Sequence, residues 1–236
     1  MKSDRDNDAV ILPVSIAAQP LLTEEHKSQR VFYCCENVNF VDSTFNDCFS
    51  SIHIDEKWFF ISEKQLRMYI TPDEESPRRY LQNKDHILKV MFLCAVARPR
   101  FDDSNGECIF DGNIGMWPFV EHIRAQRTSL NRPRGTMITR VVTCTRDRYR
   151  QMMIENVIPA IKEKWPDRNR NISIQQDGAS AHITPDDFEF RRYAQQGVWN
   201  IRLLTQPAKS PDLNVLDLSF FSTPICTMER KICNHN

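Results

Sequence analysis

The chain has 236 residues, 41% of them hydrophobic and 26% charged, and its 31 basic and 31 acidic side chains cancel to a formal net charge of zero. A chain of this size can bury a substantial core, and the zero balance excludes a uniformly basic nucleic-acid-binding protein. The longest apolar run, Val90 to Ala97, is far below the roughly 20 residues that cross a bilayer. The opening "MKSDRDND" lacks the basic-then-apolar order of a secretory signal, and eight cysteines without a C-x-x-C spacing suggest neither a disulfide framework nor a zinc ribbon. The expectation is a globular protein with reduced thiols, in nucleus or cytosol, without a membrane partner.

In chain order, "LLTEEHKSQRVFYCCENV" predicts a helix with Thr23 as N-cap and Glu24 and Glu25 in the first turn, where they complement the helix dipole. Strand-like runs follow at "IHIDEKWFFI", at "LRMYITP" and at "ILKVMFLCAVA", the last apolar enough for the middle of a sheet. The acidic "PDEESP" between the second and third reads as a loop. From "RPRFDDSNGECIF" onward the pattern weakens into an insertion carrying short strands. A helix over about Arg146 to Lys164 presents Tyr149, Met152, Met153, Val157 and Ile161 at core-facing spacing and stops at Trp165-Pro166. "NISIQQ" is a strand, "TPDDFEFRRYAQQG" a helix capped by Thr184, and "VWNIRLLT" a strand. A closing helix begins near "PDLNVLDLSFF". This order predicts an α/β fold, helices covering a mixed sheet.

Two features carry chemistry. Between Glu121 and Arg150 stand eight arginines and no lysine against two acids, a local balance of +6. Guanidinium forks bind paired phosphate oxygens, so Arg132, Arg134 and Arg140 are candidate DNA contacts, the alternative being a solvated face. The second feature is a set of aspartates. Asp55 interrupts the apolar alternation of the first strand, Asp177 follows "NISIQQ", and Asp217 lies in the first turns of the closing helix, with 39 residues between the last two. If the first and fourth strands are neighbours, all three reach one sheet edge. Two carboxylates about 4 Å apart repel by roughly 4 kcal/mol at an effective dielectric of 20, so a hard divalent cation is the natural resolution. Two such ions suit in-line displacement at phosphorus.

"IHIDEKWFF", "QQDGASAH" and "QPAKSPDLNVLDLSFF" resemble the three catalytic blocks of mariner-like transposases, in the branch with 39 residues between the last two aspartates. "PDEESP", "KVMFLCAVARPRFD", "GNIGMWPF", "NRPRGT" and "PAIKEKWP" resemble its connecting text, so the likeness runs from about Leu21 to Phe221. The resemblance implies a ribonuclease-H-like, mixed five-stranded sheet flanked by helices, over residues 51–221. It also implies two Mg²⁺ or Mn²⁺ ions held by Asp55, Asp177 and Asp217, transposon-end and target DNA as partners with room for a homodimer, and action in the nucleus. Asp212 is the rival third ligand. Strand alternation turns Glu56 to the other face, where it has a supporting role. His182 either orients the Asp177 loop, touches phosphate or is a satisfied structural histidine.

The sequence departs from the family at both ends and in one loop. Residues 1–50 read as an arm with one helix, in place of a DNA-reading helix-turn-helix region, and 222–236 as a divergent tail. The family's "QQDNA" stands here as "QQDGA", so Gly178 loosens the loop of Asp177. A truncated copy is the expectation, with slow metal-dependent nicking at most and weak, salt-sensitive, sequence-independent DNA binding. A non-catalytic DNA-binding or interaction protein derived from a transposase is the alternative. A cellular ribonuclease H or junction nuclease shares the fold but not the connecting text.

Overall fold

The computed structural model describes residues 21–60, 89–130 and 132–220. The expected strand "LRMYITP" and loop "PDEESP" lie outside them.

Helix α1 (Glu24–Glu36) opens on Thr23, whose hydroxyl accepts from the His26 amide while His26 Nδ1 accepts from the Thr23 amide. This reciprocal cap is the local reason the helix begins there. A small hairpin, β1 (Val38–Asn39) and β2 (Thr44–Phe45), leads to the long strands β3 (Ser51–Phe60) and β4 (Lys89–Ala97). Short β5 (Arg100–Phe101) and β6 (Cys108–Phe110) form a second hairpin before β7 (Asn113–Pro118), and β8 (Val120–Arg124) pairs with β9 (Met137–Val141) in a third.

The main sheet has the order β11-β10-β3-β4-β7, with β10 (Asn171–Gln176) parallel to β3 and to β11 (Asn200–Thr205), and β4 antiparallel to both β3 and β7. This is the expected mixed five-stranded sheet. The described strand at its far edge is β7, from the segment read as an insertion. Its glycines hid it. Gly112, just before β7, has φ +83°, and a Cβ there would stand 2.3 Å from the Ala97 carbonyl oxygen, so the bulge that aligns β7 with β4 admits glycine alone.

Helices α2 (Arg146–Met152) and α3 (Ile158–Lys164) are one run joined by a π turn over Met153–Val157. Pro159 cannot donate to the Glu155 carbonyl, and the wider turn absorbs the missing bond. Tyr149, Met153, Val157 and Ile161 are buried as expected and pack with Ile52, Ile54, Ile172 and Ile174 in the main core. Truncating one of these isoleucines to alanine costs about 2–5 kcal/mol. Helix α4 (Phe188–Ala194) begins later than expected. Asp187, and not Thr184, is its N-cap, because the Asp187 carboxylate accepts from the Phe190 amide while Thr184 to Asp187 close a separate turn. The opposite sheet face carries a smaller cluster of Cys94, Val96 and Leu216 beneath the closing segment, a 3₁₀ turn (Pro211–Leu213) followed by a π-helical turn (Leu216–Phe220).

Candidate active site

Alternation along β3 decides what each acid meets. Ile52 and Ile54 enter the main core, so Glu56 shares their face while Asp55 lies opposite, cross-strand from Cys94 and beneath the closing segment. That segment delivers Asn214, whose Nδ2 donates to Asp55 Oδ2 at 2.9 Å and to Asp217 Oδ2 at 3.2 Å. Asp55 and Asp217 therefore meet through one amide. Burial first, and the nearby Asp217 and Glu56 charges after it, raise the Asp55 carboxyl to about 6 despite the Asn214 bond.

Asp212 is committed elsewhere. Arg30 of α1 grips both of its oxygens, at 2.9 and 2.6 Å, and also donates to the Lys209 carbonyl. The bidentate pair makes Asp212 the anchor of α1 against the closing segment. Tyr33 adds a second tie, donating at 2.7 Å to Gln175, whose own amide donates to Gln206 Oε1 and the Leu213 carbonyl.

Asp177 follows β10 directly. Gln175 pairs with His53 in parallel, so Asp177, one residue past the end of β10, leaves the sheet on the side of β3 that carries Asp55 mid-strand, two residues beyond His53. Its carboxylate turns to another partner. His182 Nδ1 stands 2.8 Å from Asp177 Oδ1, and its Nε2 lies 3.1 Å from both Glu56 oxygens. The ring is 4% exposed and stacks on Tyr149 at 4.3 Å. Burial alone would lower the His182 pKa, but the bonds to Asp177 and Glu56 outweigh it and lift it to about 10. The same hydrogen bond holds the Asp177 carboxyl below its ordinary value. Gln176 braces the loop, accepting from Tyr149 at 2.9 Å and donating to the Ile183 carbonyl at 2.7 Å.

The structure thus brings Asp55 and Asp217 together through Asn214 and holds Asp177, just past the end of the adjoining strand, by a histidine clamp. Among the described residues, no group of three or more histidine, cysteine, aspartate or glutamate side chains forms a ready ion site. Half-buried Asp55 and exposed Asp217 nonetheless offer all-oxygen donors that suit a hard divalent cation. Sequence reading missed Asn214. The signal was available: an asparagine three residues before the last aspartate, at a helix start where such side chains cap.

The candidate DNA-binding arginines divide. Arg132 and Arg134 lie exposed on the β8–β9 loop without a side-chain partner among the described residues, whereas Arg140 is bonded to Glu121, which Arg148 also approaches at 3.7 Å.

No protein-family model matches the chain, and no curated protein matches it. Solved structures do. The Mos1 strand transfer complex superposes with a TM-score of 0.57 at 18% identity, over 93% of this chain and 53% of that one. The Mos1 transposase paired-end complex with left transposon end gives 0.55 at 19% identity, over 95% and 54%. The Mos1 transposase catalytic domain with Raltegravir and Mg gives 0.51 at 18% identity, over 89% and 76%. The fold is therefore the ribonuclease-H-like one of the Mos1 transposase. This chain spans about half the length of the transposase chains in the first two complexes.

Proposed function

We propose that this chain is the catalytic domain of a mariner-like DNA transposase that hydrolyses and transfers phosphodiester bonds using Asp55, Asp177 and Asp217. The observation that carries the reading is the meeting of Asp55 and Asp217 through Asn214, on a fold shared with Mos1. Asp55 and Asp217 would hold a divalent cation, and Asp177, at the end of the adjoining strand, would join them by rotating away from His182. Bound Mg²⁺ or Mn²⁺ supplies activation of the attacking oxygen and stabilisation of the leaving one. The protein's own groups would do the positioning: β3 and β10 would present Asp55 and Asp177 from neighbouring strands, and the closing segment would bring Asp217. Exposed Arg132 and Arg134 serve DNA phosphate, with Arg140 in a lesser role because Glu121 already binds it. Transposon-end and target DNA as substrates, a homodimer and action in the nucleus belong to the same proposal.

One observation favours the non-catalytic alternative: Asp177 is occupied by a buried histidine, so the third carboxylate is not free as the chain stands. Incubating the purified chain with labelled supercoiled plasmid and Mn²⁺ or Mg²⁺, beside Asp55→Asn and Asp217→Asn, separates the two. Slow nicking that both substitutions abolish is the expected result. Nicking that is equal in all three proteins, or absent in all, rejects the catalytic reading.

A further inference from the structure

Asn214 has no role in the metal chemistry proposed above, yet its side chain makes more connections at the site than either aspartate. It is 6% exposed, and both ends of its amide are used. Oδ1 accepts from the Leu216 amide at 3.0 Å, and Nδ2 donates to Asp55 Oδ2 and Asp217 Oδ2. The orientation of the amide is forced. A backbone N–H can only donate and an ionised carboxylate can only accept, so the oxygen must face Leu216 and the nitrogen the two acids. The main chain is tied as well, the Asn214 amide to the Pro211 carbonyl and the Leu218 amide to the Asn214 carbonyl.

We propose that Asn214 is a positioning residue that sets the spacing of the Asp55–Asp217 pair for a divalent cation; this rests on the catalytic reading above. One side chain starts the closing turn and grips β3, so the distance between the acids is fixed by a rigid amide instead of by their mutual repulsion. Each carboxylate oxygen retains a lone pair beside the one it gives to Nδ2, so the amide and an ion can be served together. Aspartate would cap the turn equally well, but it would set a third negative charge between two others. Serine would cap too, and would release both acids. The two substitutions therefore separate capping from positioning.

The experiment is Mn²⁺ titration of the full chain by calorimetry, with melting curves in the absence of metal, for the unmodified protein, Asn214→Ser and Asn214→Asp. Losing the support of a ligand weakens metal binding by about 10–100-fold, so Asn214→Ser should bind Mn²⁺ about tenfold more weakly while melting close to the unmodified chain. Asn214→Asp should melt lower without metal and gain more from Mn²⁺ than the unmodified chain does. Equal Mn²⁺ affinity in the unmodified chain and Asn214→Ser would overturn the positioning role alone. No Mn²⁺ binding by the unmodified chain would overturn the catalytic reading and this inference with it.

Discussion

Asp55, midway along β3, and Asp177, just past the end of neighbouring β10, are held by groups that are opposite in kind. Asp55 shares a neutral amide with a second carboxylate and is pushed toward protonation, while Asp177 meets a buried, charged histidine and is pushed toward ionisation. The second neighbourhood already holds a cationic partner, His182, at hydrogen-bond distance. A cation binding here would complete the Asp55 side and compete with His182 on the Asp177 side.

The largest effect should come from removing the histidine. His182→Ala takes their shared cation from Glu56 and Asp177 and deletes the Tyr149 stack; breaking a buried pair costs about 3–5 kcal/mol, and the 40% exposure of the Asp177 side chain puts this one at the low end. A fall in melting temperature on the order of 10 °C should follow. The clamp also sets a pH window. The raised His182 pKa contributes stability that is complete below about 6.5 and lost as pH rises through about 10, and the lowered Asp177 pKa contributes stability present above 3.8 and lost as pH falls. A His182→Ala protein that melts with the unmodified chain at neutral pH would show that the pair stores no stability.

Asp55 should show the opposite sign. Its carboxyl is raised to about 6, so the folded state holds a proton that the unfolded state has released, and stability falls as pH rises from 3.8 through 6. Asp217 and Glu56 are the charges acting on it. Asp55→Asn should therefore raise metal-free stability at pH 8 by on the order of 2 kcal/mol and change it little at pH 4. Urea titrations at the two pH values provide the check, and a destabilising effect at pH 8 would end the comparison between the two acids.

Much of this was legible in the chain. Alternation in "SIHIDEKWFF" placed Asp55 and Glu56 on opposite faces, and the face that holds Ile52 and Ile54 duly holds Glu56. The π turn, the start of α4 and strand β7 were not legible, because each depends on a backbone detail: a missing proline N–H, a competing cap, a glycine against a carbonyl. The capping position of Asn214 was legible, but its bond to Asp55 was not. Its partner Asp55 lies 159 residues away, and no local pattern reports a hydrogen bond of that range. Arginine counting likewise could not show that Glu121, 19 residues before Arg140, binds it.

Smaller effects belong to the surface. If the arginine loop binds DNA, Arg132→Ala and Arg134→Ala should each reduce the salt dependence of affinity by about 0.9 in the log–log slope per lost phosphate contact. Arg140→Ala should change it less, since its exposed pair with Glu121 competes; equal effects at all three positions would contradict the division seen here. The smallest concerns Gly178. It has no positive φ, and an added Cβ would meet only Thr205 Cγ2, at 3.8 Å. Gly178→Ala should stabilise the protein by about 0.4–1 kcal/mol through the unfolded chain, as read by thermal melting.

The central claim is that the Asp55–Asp217 pair is a cation site, and anomalous diffraction from Mn²⁺-soaked crystals of the full chain tests it most directly. A peak in contact with both carboxylates is expected, with Asn214 still bridging them and Asp177 turned from His182 toward the ion. Strong peaks elsewhere and none at this pair, with Asp177 still held by His182, would contradict it.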